Sequence, residues 1–306
     1  MRSRPTRTIT LWVILTALVL LAPCLALAQL DRFAIVSDTH VGSPNHSVYP
    51  EVISMLDEDG IDVVMHAGDA INSPGDVSEW EKFLEITGPD KTLHLAPGNH
   101  DINGKSSLET YLHFFDAPYS SFSEGDTLFV FLNTELPGQE SRIEGAQLAW
   151  LESELAKPFR YKFIFLHEPL FPAMPRHGLD RHKAQRDELH RLFVRCGVAL
   201  VVAGHDHLYE RKARDGVLYI ICGRAGGRAW PGRNGNSFSY IVAERTGDLY
   251  RLTVRDLEGT VKDSIKVARP PLTESTQAPG EDEAEKSAVQ AAEPLPAAEP
   301  PPAAAK

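Results

Sequence analysis

Residues 33–40 read Phe33-Ala34-Ile35-Val36-Ser37-Asp38-Thr39-His40. Four apolar side chains in a row, halted by polar ones, are the pattern of a short buried strand that feeds a functional loop. It recurs at Val63-Val64-Met65, Leu93-His94-Leu95, Leu128-Phe129-Val130-Phe131-Leu132, Phe163-Ile164-Phe165-Leu166 and Ala199-Leu200-Val201-Val202. Between these runs the apolar spacing changes to i, i+3/i+4, at Val52, Ile53 and Leu56, at Trp80, Phe83 and Leu84, at Leu148, Leu151 and Leu155, and at Leu189, Leu192 and Phe193. Strands alternating with helices predict an α/β layered domain. Further on, 217–221, 238–243, 249–254 and 260–267 read as consecutive strands, with Asp-Gly, Thr-Gly and Glu-Gly among the turns. The expected fold is therefore a sheet-rich sandwich with helices outside, and no internal repeat is present.

Both ends of the chain read differently from this body. Arg2, Arg4 and Arg7 precede a mostly apolar run from Ile9 to Ala28 that closes on Ala26-Leu27-Ala28. That order predicts a secretory signal peptide over 1–28, cleaved after Ala28, and a periplasmic or secreted protein with no stable membrane association. The run is also long enough for an uncleaved anchor. Pro23 before Cys24 disfavours a lipoprotein site. From residue 270 to 306 the chain turns to Pro, Ala and Glu, with seven acidic and two basic side chains. So little apolar area cannot offset the entropy of ordering, so an acidic disordered tail is expected there, a spacer or a docking arm for a partner. Residues 29–269 form the expected globular domain.

Composition removes several classes. The chain has 306 residues, 42% hydrophobic and 24% charged, which is ordinary for a globular protein. Its formal net charge of −11 offers no general attraction for a phosphate backbone, so nucleic-acid binding is not expected. Three scattered cysteines make neither a disulfide scaffold nor a thiolate zinc ribbon. Export would permit a bridge between Cys196 and Cys222.

What each strand delivers at its end is the informative part. The segments are Asp38-Thr39-His40, His66-Ala67-Gly68-Asp69, Gly98-Asn99-His100-Asp101, His167, and Gly204-His205-Asp206-His207. Singly, each has a plainer reading: a strand-end Asp caps a turn, Gly-Asn makes one, and a lone His sits in a core. Together and in order, each closing an expected strand, they describe convergence at the carboxyl ends of strands, where ligands of α/β sheets collect. Such convergence suits a metal site.

This ordered set resembles the calcineurin-like metallophosphoesterases, over roughly Arg32 to Glu210. Supporting features are Gln147-Leu148-Ala149-Trp150-Leu151, Tyr209-Glu210-Arg211 and the Gly223-x-x-Gly226-Gly227 turn. The resemblance implies a four-layer α/β/β/α sandwich of two mixed β-sheets flanked by helices, holding two metal ions. It implies Asp38, His40 and His207 on one metal, Asn99, His167 and His205 on the other, and Asp69 between them. The implied reaction is phosphate-ester hydrolysis by a metal-bound hydroxide, with His100 protonating the leaving oxygen and Asp101 fixing its tautomer. Mixed nitrogen and oxygen ligation leaves the metals among Fe, Mn and Zn. Purple acid phosphatases, a neighbouring branch, carry a Tyr ligand where this chain has Asn72, so a tyrosinate-coloured site is not expected.

Substrate residues are less sharply marked. Arg176, His177, Arg181, His182, Lys183 and Arg186 follow His167 closely, either a phosphate-binding patch or a solvated helix face. Arg176 and His177, with Arg224 in the glycine-rich turn, are the candidate substrate contacts. His46, His66, His94 and His113 have no motif partner and read as core or surface residues. Monoesters are the favoured substrates. Diesters such as cyclic nucleotides or glycerophosphodiesters are the alternative, and a non-catalytic protein-binding scaffold is a third reading.

Overall fold

A computed structural model describes residues 30–45, 47–229 and 237–268. The signal segment 1–28, His46 and the tail 270–306 lie outside the described residues. The strands are β1 (Arg32–Val36), β2 (Val63–His66), β3 (Thr92–Leu95), β4 (Ser120–Glu124), β5 (Thr127–Phe131), β6 (Tyr161–Phe165), β7 (Leu200–Ala203), β8 (Tyr209–Arg214), β9 (Val217–Cys222), β10 (Tyr240–Thr246), β11 (Leu249–Arg255) and β12 (Val261–Ala268). The helices are α1 (Val48–Glu58), α2 (Val77–Thr87), α3 (Lys105–Phe114), α4 (Gly145–Leu155) and α5 (Lys183–Arg195).

Two mixed six-stranded sheets result, ordered β12-β11-β10-β1-β2-β3 and β4-β5-β6-β7-β9-β8. In the first, β1, β2 and β3 run parallel; in the second, β5, β6, β7 and β9 do. Alternation along each strand explains the unbroken apolar runs. Phe33 and Ile35 of β1 face the second sheet, where Phe129, Phe163, Phe165, Leu200 and Val202 meet them, while Ala34 and Val36 face outward. Outside the first sheet lie Tyr49, Val52 and Leu56 of α1 with Trp80 and Phe83 of α2. Outside the second lie Leu151 and Leu155 of α4 with Leu189, Leu192 and Phe193 of α5. A strand covered on both faces has no side for polar residues, so it reads as continuous hydrophobicity.

Three elements were not expected from the sequence: β4, β8 and α3. Both strands are sheet edges, Ser120-Ser121-Phe122-Ser123-Glu124 and Tyr209-Glu210-Arg211-Lys212-Ala213-Arg214. Polar side chains on an edge deter unwanted pairing and erase the apolar signal. Helix α3 buries only Ser107 and Tyr111. Both Cys196 and Cys222 are free, the first half-buried and the second buried, so no bridge joins them.

Candidate metal centre

Every loop that leaves the carboxyl end of β1, β2, β3, β6 and β7 brings its polar residues to one place. Asp38 and His40 follow β1, Asp69 follows β2, Asn99 and His100 follow β3, His167 follows β6, and His205 and His207 follow β7. Backbone hydrogen bonds lace the loops together, from Asp38 N to Gly68 O at 2.9 Å and from His40 N to Asp69 O at 3.0 Å.

Two groups of donor atoms form. In the first, Asp38, His40, Asp69 and His207 each offer an atom within 4.8 Å of the others. His40 Nε2 lies 3.2 Å from His207 Nε2, which lies 3.2 Å from Asp38 Oδ1. In the second, His167 Nε2 is 3.2 Å from each of Asp69 Oδ2, Asn99 Oδ1 and His205 Nδ1. Asp69 belongs to both groups, since its Oδ2 also stands 3.5 Å from His40 Nε2.

The proton inventory shows that these groups fit cations. His207 Nδ1 faces Arg228 O at 2.6 Å and His167 Nδ1 faces Ala67 O at 2.9 Å. A carbonyl only accepts, so each Nδ1 carries the hydrogen and each neutral ring turns a bare Nε2 lone pair inward. Those lone pairs meet carboxylate oxygens and other ring nitrogens, an arrangement that a positive charge must hold together. His205 adds a buried Nε2 without a hydrogen-bond partner. Without a metal, protons take the cation's place: burial opposes it, yet the Asp69 charge holds His167 well above its ordinary range, and Asp38 likewise raises His207. Burial resists ionisation of Asp69 and Asp38 as well, but the facing histidines outweigh it and hold both carboxyls low. For His205, burial and then the His167 charge keep the ring neutral.

Backbone strain marks the same residues. Asp38, His40, Asp69, His205 and His207 all have φ between 44° and 70°, and they are five of the eight non-glycine residues with positive φ among the described residues. Each costs about 1–3 kcal/mol, which the surrounding structure must offset. Close approach also demands Gly98, where a Cβ would fall 2.3 Å from Asp69 Oδ1, and Gly227, where it would fall 2.7 Å from His207 and 2.8 Å from His40.

His100 stands at the edge of the first group, its ring 4.5 Å from that of His40. Its Nδ1 donates to Asn72 O at 2.6 Å, which leaves Nε2 as the free end of the ring. Asp101 does not fix that tautomer. Its two oxygens accept from Ile71 N at 3.1 Å and Gly98 N at 2.8 Å, tying the third loop to the second, and burial followed by the Asp69 charge raises its pKa to about 7.

Of the three substrate candidates, His177 reaches the site. Its ring stacks on His205 at 4.1 Å and its Nδ1 pairs with buried Asp206. Arg176 is exposed at a positive-φ turn where, among the described residues, only its backbone is engaged, with Asp180 and Arg181. Arg224 is buried, donates to Gly227 O at 2.6 Å and lies over Phe238 at 3.9 Å, contacts that hold the glycine turn against the histidines. Tyr209 and Arg211 both bind Asp263 of β12 and join the sheet edges.

Supporting groups hold these loops, and the Asp76–Glu79 cap among them escaped the sequence reading. Asp76 caps α2 by accepting from Glu79 N at 3.0 Å, and Glu79 reaches back to Asn72 N at 2.9 Å and Ser73 N at 2.7 Å. That fixes the carbonyl of Asn72 on which His100 turns. The Asp-x-x-Glu spacing, close to a capping box, was the available signal. Gln147 of α4 clamps Asn133 by two hydrogen bonds of 2.8 and 2.9 Å. Buried His66 accepts from Gly68 N at 3.1 Å and bonds to Thr39 Oγ1 at 3.1 Å, joining the first two loops.

With two sheets carrying these donors at their strand ends, the chain belongs to the calcineurin-like phosphoesterase family, whose sequence pattern matches residues 31–209. This is a family of dinuclear, metal-dependent phosphoester hydrolases. The human serine/threonine-protein phosphatase CPPED1 is 26% identical over 192 residues, covering 57% of this chain and 61% of that protein. Purple acid phosphatase 23 of Arabidopsis thaliana is 27% identical over 172 residues, or 48% of this chain and 37% of that one. The chain thus spans about three fifths or less of these relatives. Two solved structures share the fold. The yellow lupin (Lupinus luteus) purple acid phosphatase PPD1 has a TM-score of 0.66 at 18% identity, over 84% of this chain and 56% of that one. A dimetal phosphatase from Danio rerio has a TM-score of 0.57 at 14% identity, over 79% and 99%.

Proposed function

We propose that this protein is an exported phosphatase that hydrolyses phosphate monoesters at a two-metal site. The observation that carries the reading is the pair of donor groups sharing Asp69, with inward lone pairs on His167 and His207. Asp38, His40, His207 and Asp69 would hold one ion, and Asn99, His167, His205 and Asp69 the other. Iron, manganese and zinc all suit this thiolate-free set. Bound there, two metals supply Lewis-acid charge and an activated water for in-line displacement at phosphorus.

The chain's own groups do the rest. Ala67 and Arg228 carbonyls keep His167 and His207 turned inward. His100, pinned at Nδ1 by Asn72, would in its doubly protonated form give the Nε2 proton to the leaving oxygen and keep the one on Nδ1. His177, pinned at Nδ1 by Asp206, stands at the other side of the site as a contact for the phosphoryl group.

Monoesters are favoured because the similar proteins are phosphatases by name. Steady-state comparison of p-nitrophenyl phosphate with bis-p-nitrophenyl phosphate tests this. Preference for the monoester, abolished in Asp69→Asn, is the expected result; preference for the bis ester would move the assignment to a phosphodiesterase. Export rests on the sequence of residues 1–28. Intact-mass analysis of protein from the native host should give a chain beginning at Gln29, and a retained Met1 would contradict cleavage.

A further inference from the structure

Beside the loop that carries His177 lies a groove of about 610 Å³. Its lining includes Phe171 and Ala173 of that loop, Lys183 and Arg186 of the first turn of α5, and Lys212 and Arg214 of β8. Four cations thus meet there on a protein whose formal net charge is −11. Among the described residues Asp180 is the one lining carboxylate, and its Oδ2 accepts from Arg176 N at 2.8 Å.

The four cations are held in place and only partly neutralised. The guanidinium groups of Arg186 and Arg214 lie 5.0 and 4.5 Å from the centre of the Phe171 ring. A ring face attracts a cation but supplies no charge to offset its neighbour. Lys212 pairs with Glu210 at 3.0 Å and Arg186 with Asp187 at 2.7 Å, whereas Lys183 and Arg214 have no carboxylate within ion-pair distance among the described residues. Placing Lys183 and Arg186 in the first turn of α5, without any acidic residue there, runs against the helix dipole. Such a concentration of like charge at a positive helix end is unfavourable in the empty groove and becomes favourable when an anion enters it.

We propose that this groove is a second anion-binding site, built for a small ligand bearing two or more phosphate, sulfate or carboxylate groups. A volume of about 610 Å³ is that of a small-molecule pocket. The groove is joined to the metal loops, because Ala173 lines it and donates its N–H at 2.6 Å to Asp206, which stands between His205 and His207. The anion is either the far end of a multiply phosphorylated substrate or a separate molecule; only the first of these rests on the hydrolase reading above.

The test uses 8-methoxypyrene-1,3,6-trisulfonate, a fluorescent trianion, with the full mature chain at low ionic strength. Anisotropy should report saturable binding that weakens at least about tenfold in Lys183→Gln/Arg214→Gln, two exposed positions whose loss leaves the core intact. Arg186→Gln should weaken it as well, and Asp69→Asn should not. No saturable binding, or equal binding by parent and double variant, would overturn the proposal. Kinetics then separates the two sources. A KM for fructose 1,6-bisphosphate raised at least about fivefold in the double variant, with p-nitrophenyl phosphate unaffected, assigns the groove to the substrate's second phosphate. Unchanged KM values with the trianion still bound by the parent assign it to a separate anion. Trianion binding in a protein that hydrolyses neither ester leaves the groove standing and removes the hydrolase reading instead.

Discussion

Single nitrogen atoms decide the chemistry of this site. Because Ala67 and Arg228 present carbonyls, His167 and His207 carry their hydrogens on Nδ1 and turn bare Nε2 atoms inward; because Asn72 does the same for His100, its Nε2 remains for a substrate. His100→Ala should therefore lower kcat for p-nitrophenyl phosphate by about 10²–10⁴-fold while leaving metal content as in the parent; loss of metal in that variant would make His100 a structural group. At this scale the site was legible where residue type alone carried the information. Asp38, His40, Asp69, Asn99, His167, His205 and His207 are polar residues stranded at the ends of apolar runs, and all seven meet. Asp101 and Arg224 were not legible. Their partners are Ile71 N, Gly98 N and Gly227 O, and nothing in a side chain's identity says which backbone group will face it.

Among the elements, the central strands announced themselves and the edges did not. Val64, Phe129, Ile164 and Val202 are wholly buried, so their sequence carries no polar interruption. Strand β4 shows the opposite, since Phe122 alone turns inward between serines. There it stacks at 3.9 Å on His94 of β3, so that one imidazole closes the edge of the first sheet against the second. Burial lowers the His94 pKa from 6.5 to about 4. The folded state thus binds fewer protons at this position than the unfolded one. Its contribution is complete above pH 6.5 and is lost as pH falls toward 4. His94→Phe keeps a ring in the stack and removes the proton. Its melting temperature should fall less steeply than the parent's between pH 7 and 4.5, as followed by circular dichroism, and an equal slope would contradict the assignment.

For the whole molecule, the four layers serve to bring the carboxyl ends of strands from two sheets to a common rim. The first sheet supplies Asp38, His40, Asp69 and Asn99, and the second supplies His167, His205 and His207. Neither sheet alone completes a donor group. The alternation of strands and helices made the layers legible from sequence, whereas the pairing of β8 with β9 at the far edge, and the basic groove that β8 forms with α5, depend on long-range packing that no local pattern encodes. The central claim is that Asp69 is shared by two metal ions. Elemental analysis of the purified mature chain, in parallel with Asp69→Asn, tests it most directly. About two metals per chain in the parent, falling to about one or none in the variant, is the predicted result. A parent that retains no more than one metal after reconstitution with iron, manganese or zinc would contradict it.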